Sequence, residues 1–495
     1  PLECHRGPGR KGGVSRSEMA ICRAPGGGLE FAESEHMTVR AAGPPKSKQP
    51  AQSRKRSSSP KGELVEPAAG GTHCPFFIVG VGASAGGLEA LGKFFTRMPL
   101  DSGLAFVVVQ HLSPDYKSFM VELLSKRTGI PVHRAEDGLE VKPDNIYLIP
   151  PRKHLKLWHG RIQLVEPEHE RGINLPIDVF FRSLAEHQKH QAIGVVLSGT
   201  GSDGTMGIRA IKEAGGVAMV QSESTAQFDG MPRSAIGTGL ADFILAPEDM
   251  AGHLMQYVQH PFVAQAQGIV REQSSTETLM HRIFALLHER CGVDFSLYRA
   301  ATIDRRIERR MGINQIQSLS EYCRYLDSSP REAGLLFNEL LICVTRFFRD
   351  RESFGVMEKT ALPALIQRNA ESRSLRAWVA GCSTGEEAYS LAMLLSELTE
   401  ATGKEWDIKI FATDISKNAL EAAGSGLYLE SLVADVPAER LKRFFVRKPE
   451  GYLLRTSIRK MVVFARHDLL KDPPFTKLDA DVDSHHDHDL GVRPL

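Results

Sequence analysis

Three side chains in the first half of the chain have the types that activate a hydroxyl group for attack on an ester. Ser84 lies in a turn rich in glycine and alanine, His111 directly follows an apolar run, and Asp203 lies in a second glycine-rich turn. Serine is a weak nucleophile until a base removes its proton, and the base needs an acid that fixes its tautomer. Ser84, His111 and Asp203 suit these roles in that order. Backbone N–H groups near Ala85 or Gly201 would hold the oxyanion.

The glycines around Ser84 are also typical of a different site. Gly80, Gly82 and Gly86 resemble the fingerprint that binds a dinucleotide at a strand-to-helix turn. Dinucleotide-binding folds place an acidic residue at the end of the next strand, where it holds the ribose hydroxyls. Here that strand ends in Gln110 and His111, which favours acid–base chemistry over nucleotide binding.

The elements that must position these residues alternate between strands and helices. Apolar runs predict strands at residues 76–82, 104–110 and 192–197, and helical patterns follow at residues 88–95, 176–190 and from residue 206. This alternation predicts an α/β domain with a doubly wound parallel sheet, whose strands end at one shared edge. Ser84, His111 and Asp203 each follow a strand, so we expect them to converge at that edge.

Four motifs of this domain are similar to those of the chemotaxis receptor methylesterases of the CheB type. They lie at residues 82–87, 109–112, 198–204 and 228–232. The resemblance implies hydrolysis of glutamate methyl esters on receptors without a cofactor, with Ser84, His111 and Asp203 as the catalytic triad. It also implies that Met231 and Pro232 lie in a loop near the site. The preceding segment is too short and polar for the receiver domain of such enzymes, so we expect no control by phosphorylation in cis.

A second glycine-rich turn, at residues 381–387, follows a predicted strand in the second half, and the next strand ends in Asp414. This pattern is typical of a nucleotide-type site. Together with motifs at residues 345–350, 412–415 and 467–470, it resembles the chemotaxis receptor glutamate methyltransferases of the CheR type. The resemblance implies a small all-α subdomain, then a Rossmann-like class I methyltransferase domain that binds S-adenosylmethionine. The contacts that it implies are Thr345, Arg349, Glu386, Asp414 and Asp468.

A basic helix is predicted within the all-α subdomain. Arg305 and Arg309, like Arg306 and Arg310, would lie one turn apart. Such a face would suit an acidic partner, for example a receptor helix that carries glutamates. The sequence equally allows a solvated face with internal ion pairs.

Composition narrows the class of protein. The 495 residues carry a net charge of +1, which argues against a protein built around nucleic-acid phosphates. The seven cysteines have no CxxC spacing, so we expect reduced thiols, no metal site and a cytoplasmic location. No apolar run is long enough to insert into a membrane. The expected partners are methyl-accepting receptor helices and histidine-kinase signalling proteins.

The predicted domains follow one another along the chain. They are a disordered basic leader (1–72), a methylesterase domain (73–260), a linker (261–275), a helical subdomain (276–343), a methyltransferase domain (344–479) and an aberrant tail (480–495). The tail reads as a truncation or frameshift that removes a strand of the second sheet. We therefore expect an incomplete methyltransferase domain with weak cofactor binding.

These patterns together predict a bifunctional enzyme that performs opposite reactions on receptor glutamates. A receptor-binding scaffold, in which one or both domains have lost catalysis, is an alternative. An esterase or deamidase for another substrate is a third, because a fold alone does not fix the substrate.

Overall fold

The structure is a computed structural model that describes residues 74–111, 119–167, 174–264, 273–341, 344–483 and 491–494. All of them belong to one compact unit, Ala69–Leu495. The predicted leader, part of the predicted linker and half of the predicted tail lie outside the described residues. In the described part of the chain, every helix is too short or too polar to cross a bilayer.

In its described residues, the first domain contains nine strands and six α-helices. The strands are β1 (Ile78–Ala83), β2 (Ala105–Gln110), β3 (Val132–Arg134), β4 (Asn145–Leu148), β5 (His154–Trp158), β6 (Arg161–Val165), β7 (Ala192–Val196), β8 (Val217–Gln221) and β9 (Phe243–Leu245). The helices are α1 (Gly87–Thr96), α2 (Met120–Ser125), α3 (Pro176–Gln188), α4 (Thr205–Glu213), α5 (Gly230–Gly237) and α6 (Pro247–Val258).

Seven of these strands form one parallel sheet, in the order β3-β4-β2-β1-β7-β8-β9. Helices α1 and α6 pack on one face, and α3, α4 and α5 pack on the other. Because both faces are covered, all six residues of β1 are buried. The predicted doubly wound sheet is confirmed. Strands β5 and β6 form a separate hairpin.

The register of the central strands brings the predicted catalytic residues to one edge. Ala83, the last residue of β1, pairs with Gln110, the last residue of β2. Strand β7 pairs with the other side of β1, so its end is level with theirs. The turns that carry Ser84, His111 and Asp203 all leave the sheet at this edge.

The second region is all α, as predicted. Its helices are α7 (Pro261–Ala264), α8 (Gln273–Cys291), α9 (Ala300–Ile313), α10 (Leu319–Ser328) and α11 (Pro330–Leu341). Apolar residues spaced three or four apart, such as Ile303, Ile307 and Met311 of α9, face a common core.

The basic face of α9 points mostly inward, which corrects the prediction of an exposed surface. Of the four arginines, only Arg305 is exposed. The Arg310 guanidinium donates two hydrogen bonds to the Glu332 carboxylate, at 2.9 and 2.6 Å. Arg309 is paired with Asp242 of the first domain and with Glu339 of α11. The partners come from distant parts of the chain, so the pattern of α9 alone gave no sign of them.

The third region contains a mixed sheet and a small antiparallel sheet. Its helices are α12 (Arg351–Val356), continued by a π turn (Met357–Ala361) into α13 (Leu362–Arg368), then α14 (Glu386–Glu400), α15 (Lys417–Ser425), α16 (Ala438–Phe444) and α17 (Thr456–Arg459). Its strands are β10 (Ser374–Ala380), β11 (Asp407–Asp414), β12 (Leu427–Tyr428), β13 (Phe445–Lys448), β14 (Gly451–Leu454), β15 (Val462–Arg466), β16 (Ala480–Asp483) and β17 (Gly491–Pro494). The two sheets have the orders β15-β11-β10-β16-β17 and β12-β14-β13.

The predicted tail supplies strands to the larger sheet, so the expectation of a missing strand was wrong. Strand β16 pairs in parallel with β10, with Ala480 opposite Ala377. Strand β17 then pairs antiparallel with β16. The charged composition of the tail suggested a truncation or frameshift, but residues 480–483 alternate between apolar and acidic types. That alternation suits a strand, whose backbone satisfies the free edge of β10.

Candidate active sites

Ser84, His111 and Asp203 form one hydrogen-bonded line. The Oγ of Ser84 lies 3.1 Å from Nδ1 of His111, and Nε2 of His111 lies 2.9 Å from Oδ2 of Asp203. Because the carboxylate only accepts, Nε2 carries the proton and Nδ1 is free to accept from the serine hydroxyl. The geometry is that of a nucleophile, a base and an orienting acid.

The sheet fixes the first two members of this line through their backbones. The Ser84 N–H donates to the carbonyl of Ser198 at 3.0 Å, and the His111 N–H donates to the carbonyl of Ala83 at 3.3 Å. Gly86 adopts a left-handed conformation, with φ of 71°, and so allows α1 to start directly after the serine.

Asp203 is anchored more tightly than its position in a glycine-rich turn indicated. Its side chain is 2% exposed. Besides His111, the carboxylate accepts hydrogen bonds from the backbone N–H groups of Ile177, Asp178 and Gly204, at 2.9 to 3.0 Å. Two of these donors belong to the start of α3. These backbone donors fix the position of the carboxylate that faces His111.

Asp178 is a neighbour of the line that sequence reasoning missed. Burial, and after it the charge of Asp203, raises the pKa of this carboxyl well above its usual range. One of its oxygens accepts from the backbone N–H of Gly207 at 2.6 Å. The only sequence signal was an aspartate in the first turn of a helix, which is common for a structural reason.

Met231 lies beneath the nucleophile, in α5 and not in a loop as expected. It is fully buried. A Cβ atom on Gly199 would lie 2.2 Å from its sulfur and 2.9 Å from the Cβ of Ser84. The turn therefore needs glycine at position 199 for space. Among the described residues, no acceptor binds the backbone N–H of Ala85 or Gly201, so both stay available for an oxyanion.

A cavity of about 250 Å³ opens beside His111. Arg152 and Lys153 line it, together with Asn174. Lys153 forms an ion pair with Glu166. The cavity borders the base of the line and brings positive charge close to it.

The second predicted site is built around the turn between β10 and α14. Gly381 and Gly385 have φ of 65° and 90°, conformations that favour glycine. Asp414 ends β11, and its carboxylate accepts from the backbone N–H groups of Ser383 and Ser416, each at 2.8 Å. This acid therefore holds the turn and the start of α15 in place.

The other residues predicted for this site divide into two groups. Thr345 and Arg349 line a cavity of about 280 Å³, and residues of α3 and α4 of the first domain form its opposite wall. Glu386 is buried in the same contact, where it pairs with Arg209. Burial raises the pKa of Glu386 above its ordinary value, although Arg209 opposes that shift.

Asp468 lies apart from those three residues. Its Oδ1 accepts from the backbone N–H of Leu470 at 3.0 Å. Tyr298 of the helical region lies near both Asp468 and Asp414. Its pKa is raised by burial first and then by these two carboxylates. Sequence reasoning missed Tyr298, because a tyrosine far from the turn carries no local sign of this proximity.

Several buried polar atoms around the turn lack partners. Within the described residues, Oγ1 of Thr345, Oγ of Ser383 and Nε2 of His467 are buried and make no hydrogen bond. Buried polar groups usually have partners, so these atoms suit a polar ligand. The donor set thus fits a cofactor such as S-adenosylmethionine, except that Glu386 is already paired with Arg209. Within the described residues, no cluster of side chains suits a metal ion.

Family models match three consecutive segments of the chain. CheB methylesterase matches residues 79–254. The all-alpha domain of CheR methyltransferase matches residues 279–341, and the SAM binding domain of CheR methyltransferase matches residues 343–482.

Individual relatives agree with these matches. An uncharacterized 104.1 kDa protein of Rhodobacter capsulatus is 40% identical over 380 residues, which are 73% of this chain and 40% of that protein. A protein-glutamate methylesterase/protein-glutamine glutaminase of Trichodesmium erythraeum is 34% identical over 185 residues, 37% of this chain and 53% of its own. A Leptospira interrogans protein with the same two activities in its name is 34% identical over 172 residues, 34% of this chain and 89% of its own.

The chain spans about half the length of the curated relatives that it matches first. Among solved structures, the CheB methylesterase catalytic domain of Thermotoga maritima is 31% identical. The match covers 37% of this chain and 98% of that domain, with a TM-score of 0.35.

Proposed function

We propose that this chain removes and adds methyl groups on chemoreceptor glutamates, because it belongs to the CheB methylesterase family and continues into CheR methyltransferase domains. The hydrogen-bonded line of Ser84, His111 and Asp203 is the observation that carries the esterase half. The turn at residues 381–387, held by Asp414, supports the methyltransferase half.

In the esterase reaction, the Oγ of Ser84 attacks the carbonyl carbon of the methyl ester while Nδ1 of His111 takes its proton. Asp203 stabilises the resulting imidazolium through the proton on Nε2. The N–H groups of Ala85 and Gly201 hold the oxyanion. Such a donor contributes on the order of 10²–10³-fold to kcat. His111 then protonates the leaving methoxide, and water, deprotonated by His111, releases the glutamate from Ser84.

Basic side chains lie at the mouth of the esterase site, where Arg152 and Lys153 line the cavity beside His111. Lys153 is paired with Glu166, so a free carboxylate of a receptor helix would have to replace that glutamate to bind it. We include such helices among the partners of the protein, and histidine-kinase signalling proteins as further partners of the same pathway.

In the methyltransferase reaction, S-adenosylmethionine would supply a methyl group on a sulfonium. We propose Asp414, Thr345, Arg349, Glu386 and Asp468 as the residues that hold it. The acceptor glutamate, with a pKa of about 4.3 in water, is already ionised at neutral pH. The protein therefore has to align two reactants, and arginine is suited to hold a carboxylate through paired donors. Strand β16 lies next to β10, where the tail was expected to leave a gap in the sheet, and the strength of cofactor binding stays a prediction.

A cytoplasmic location is part of the proposal. The described cysteines Cys291, Cys323 and Cys382 form no disulfide, which is typical of a reducing compartment. Burial raises the pKa of the Cys382 thiol in the cofactor turn, so this cysteine is suited to packing and not to nucleophilic chemistry.

The test is release of methanol from methylated receptor fragments by the wild-type chain and by Ser84→Ala. Loss of the nucleophile should lower kcat by on the order of 10⁴–10⁶-fold. Ser102→Ala is the matched control, because Ser102 precedes β2 at the opposite end of the sheet. Full activity in Ser84→Ala would refute the assignment. If the wild type releases methanol while Ser84→Ala only binds the receptor fragment, a pure scaffold is excluded as the role of this half.

The names of two relatives also contain protein-glutamine glutaminase. The same attack by Ser84 on a glutamine side chain would release ammonia in place of methanol. The receptor assay should therefore include an unmethylated fragment with glutamine at the modification site. Release of ammonia that Ser84→Ala abolishes would support this second activity.

A further inference from the structure

Helix α4 of the esterase domain presents one face to the methyltransferase domain. Met206, Arg209 and Glu213 are spaced three and four residues apart, so they lie on the same side of the helix. Met206 is 4% exposed and packs into the hydrophobic core of the methyltransferase domain. Glu213 forms an ion pair with Arg349, one of the residues proposed for the cofactor.

Arg209 is already paired with Glu386, the carboxylate that is proposed to bind the cofactor. Its Nη1 donates to Oε1 of Glu386 at 3.2 Å, and the side chains are 9% and 1% exposed. The other carboxylate oxygen accepts from the Thr384 hydroxyl at 2.6 Å. A ligand cation can reach Glu386 only if Arg209 leaves. A buried carboxylate without a counterion is costly, so Glu386 needs one cation or the other.

Contacts around this pair hold the two domains in the same position. Arg182 of α3 donates two hydrogen bonds to the Asp435 carboxylate, at 3.4 and 3.2 Å. The backbone N–H of Ser431 donates to Oγ of Ser202 at 3.2 Å, next to the catalytic Asp203. Arg182 and Arg209 also line the cavity of about 280 Å³ to which Thr345 and Arg349 contribute.

We infer that the esterase domain, docked through α4, closes the methyltransferase pocket, so that docking and cofactor binding exclude each other. Three of the five residues proposed for the cofactor, Thr345, Arg349 and Glu386, lie in the docking contact. The ion pair between Arg209 and Glu386, called the latch below, holds α4 in place. Binding of the cofactor releases α4, and release of α4 opens the pocket, because coupling between two binding events is reciprocal. The inference rests on the proposed function for the identity of the ligand.

The test is calorimetric titration of S-adenosylhomocysteine into the full chain. Arg209→Ala should bind it about 5- to 150-fold more tightly than the wild type, which is the usual range of such coupling. Asp435→Asn should also bind more tightly, since it weakens docking from outside the cavity. It provides a second variant if Arg209→Ala does not fold. Arg97→Ala removes an exposed arginine of the first domain and should bind like the wild type.

Hydrogen exchange supplies a readout that is independent of turnover. Addition of S-adenosylhomocysteine to the wild type should speed amide exchange across α4. Equal affinity in all variants, or slower exchange in α4 on binding, would overturn the latch while the cofactor assignment stands. Absence of binding in every variant would overturn the cofactor assignment and the latch with it.

Discussion

The Nε2 atom of His111 lies 2.9 Å from Oδ2 of Asp203, so the proton of the resting imidazole is directed toward the acid and away from Ser84. Asp203→Asn should reverse this tautomer, because an amide nitrogen donates where the carboxylate accepted. We predict a fall in kcat of about 10⁴-fold. Methanol release gives the rate, and nitrogen NMR of His111 reports the tautomer.

Asp178 provides a matched control for that variant. Its raised pKa indicates a carboxyl that resists ionisation, and an amide has nearly the same shape as a neutral carboxyl group. Asp178→Asn should therefore keep kcat within a few-fold of the wild type, although the residue lies beside Asp203. A loss as large as that of Asp203→Asn would mean that an ionised Asp178 supports the catalytic line.

Gly199→Ala should displace the Ser84 side chain by steric crowding alone. The added methyl group would lie 2.2 Å from the Met231 sulfur and 2.9 Å from the Cβ of Ser84, so one of them must move. A displacement of about 1 Å can cost about 10²-fold in rate, and we predict a fall in kcat of that order. The double variant Gly199→Ala/Met231→Ala should recover part of it.

Gly237→Ala is the control for the glycine substitution. A Cβ at position 237 would meet nothing within 4 Å. Its activity should match the wild type in the methanol assay. If Gly199→Ala behaves the same way, the turn has room that the structure does not indicate.

Glu339→Gln should destabilise the protein in a pH-dependent way. Burial alone would raise the pKa of this carboxyl, but Arg309 and Lys212 outweigh burial and hold it well below its ordinary value of 4.5. The stabilisation is fully present above about pH 4.5. It is lost as the pH falls from there through the depressed pKa of folded Glu339, because the unfolded chain binds this proton at a higher pH than the folded protein does.

Urea unfolding of wild type and Glu339→Gln at several pH values would measure this effect. At pH 7 the variant should lose about 3–5 kcal/mol, the usual cost of breaking a buried ion pair. The difference should shrink as the pH is lowered below 4.5. Glu371→Gln, which changes an exposed glutamate, serves as the control. A difference that does not change with pH would show that Glu339 acts by packing and not by charge.

Asp414→Ala should loosen the cofactor turn. The substitution removes the acceptor of two backbone N–H groups, at Ser383 and Ser416, and leaves both without a partner. We expect at least a tenfold loss of affinity for S-adenosylhomocysteine by calorimetry. Asp407→Ala, at the exposed start of the same strand, should bind normally. Unchanged affinity in Asp414→Ala would remove this residue from the proposed site.

Sequence patterns predicted the parts of the molecule that short stretches of chain determine. An apolar run, a glycine turn and a helix specify where Ser84 stands, and parallel topology brings His111 and Asp203 to the same edge. The helices of the second region and the turn at residues 381–387 follow from the same local logic.

Contacts between distant segments could not be predicted in this way. Arg209 and Glu386 are separated by 177 residues, and neither pattern around them indicates a partner. The inward orientation of Arg309 likewise depends on Asp242, 67 residues away. The strand of the tail was missed for a different reason: its pairing depends on the open edge of β10, and its own composition suggested a break.

The charges buried between the esterase and helical regions limit how the chain can be rearranged by recombination. Lys212 donates to Asp242 and Glu339 at 2.8 and 2.9 Å, and Arg309 pairs with the same two acids. Each region contributes one cation and one anion to this group. A homologous domain exchanged at residue 260 would have to bring both an anion for Arg309 and a cation for Glu339. The two domains therefore cannot be exchanged independently at this boundary, and the residues of the charged group are constrained to change together.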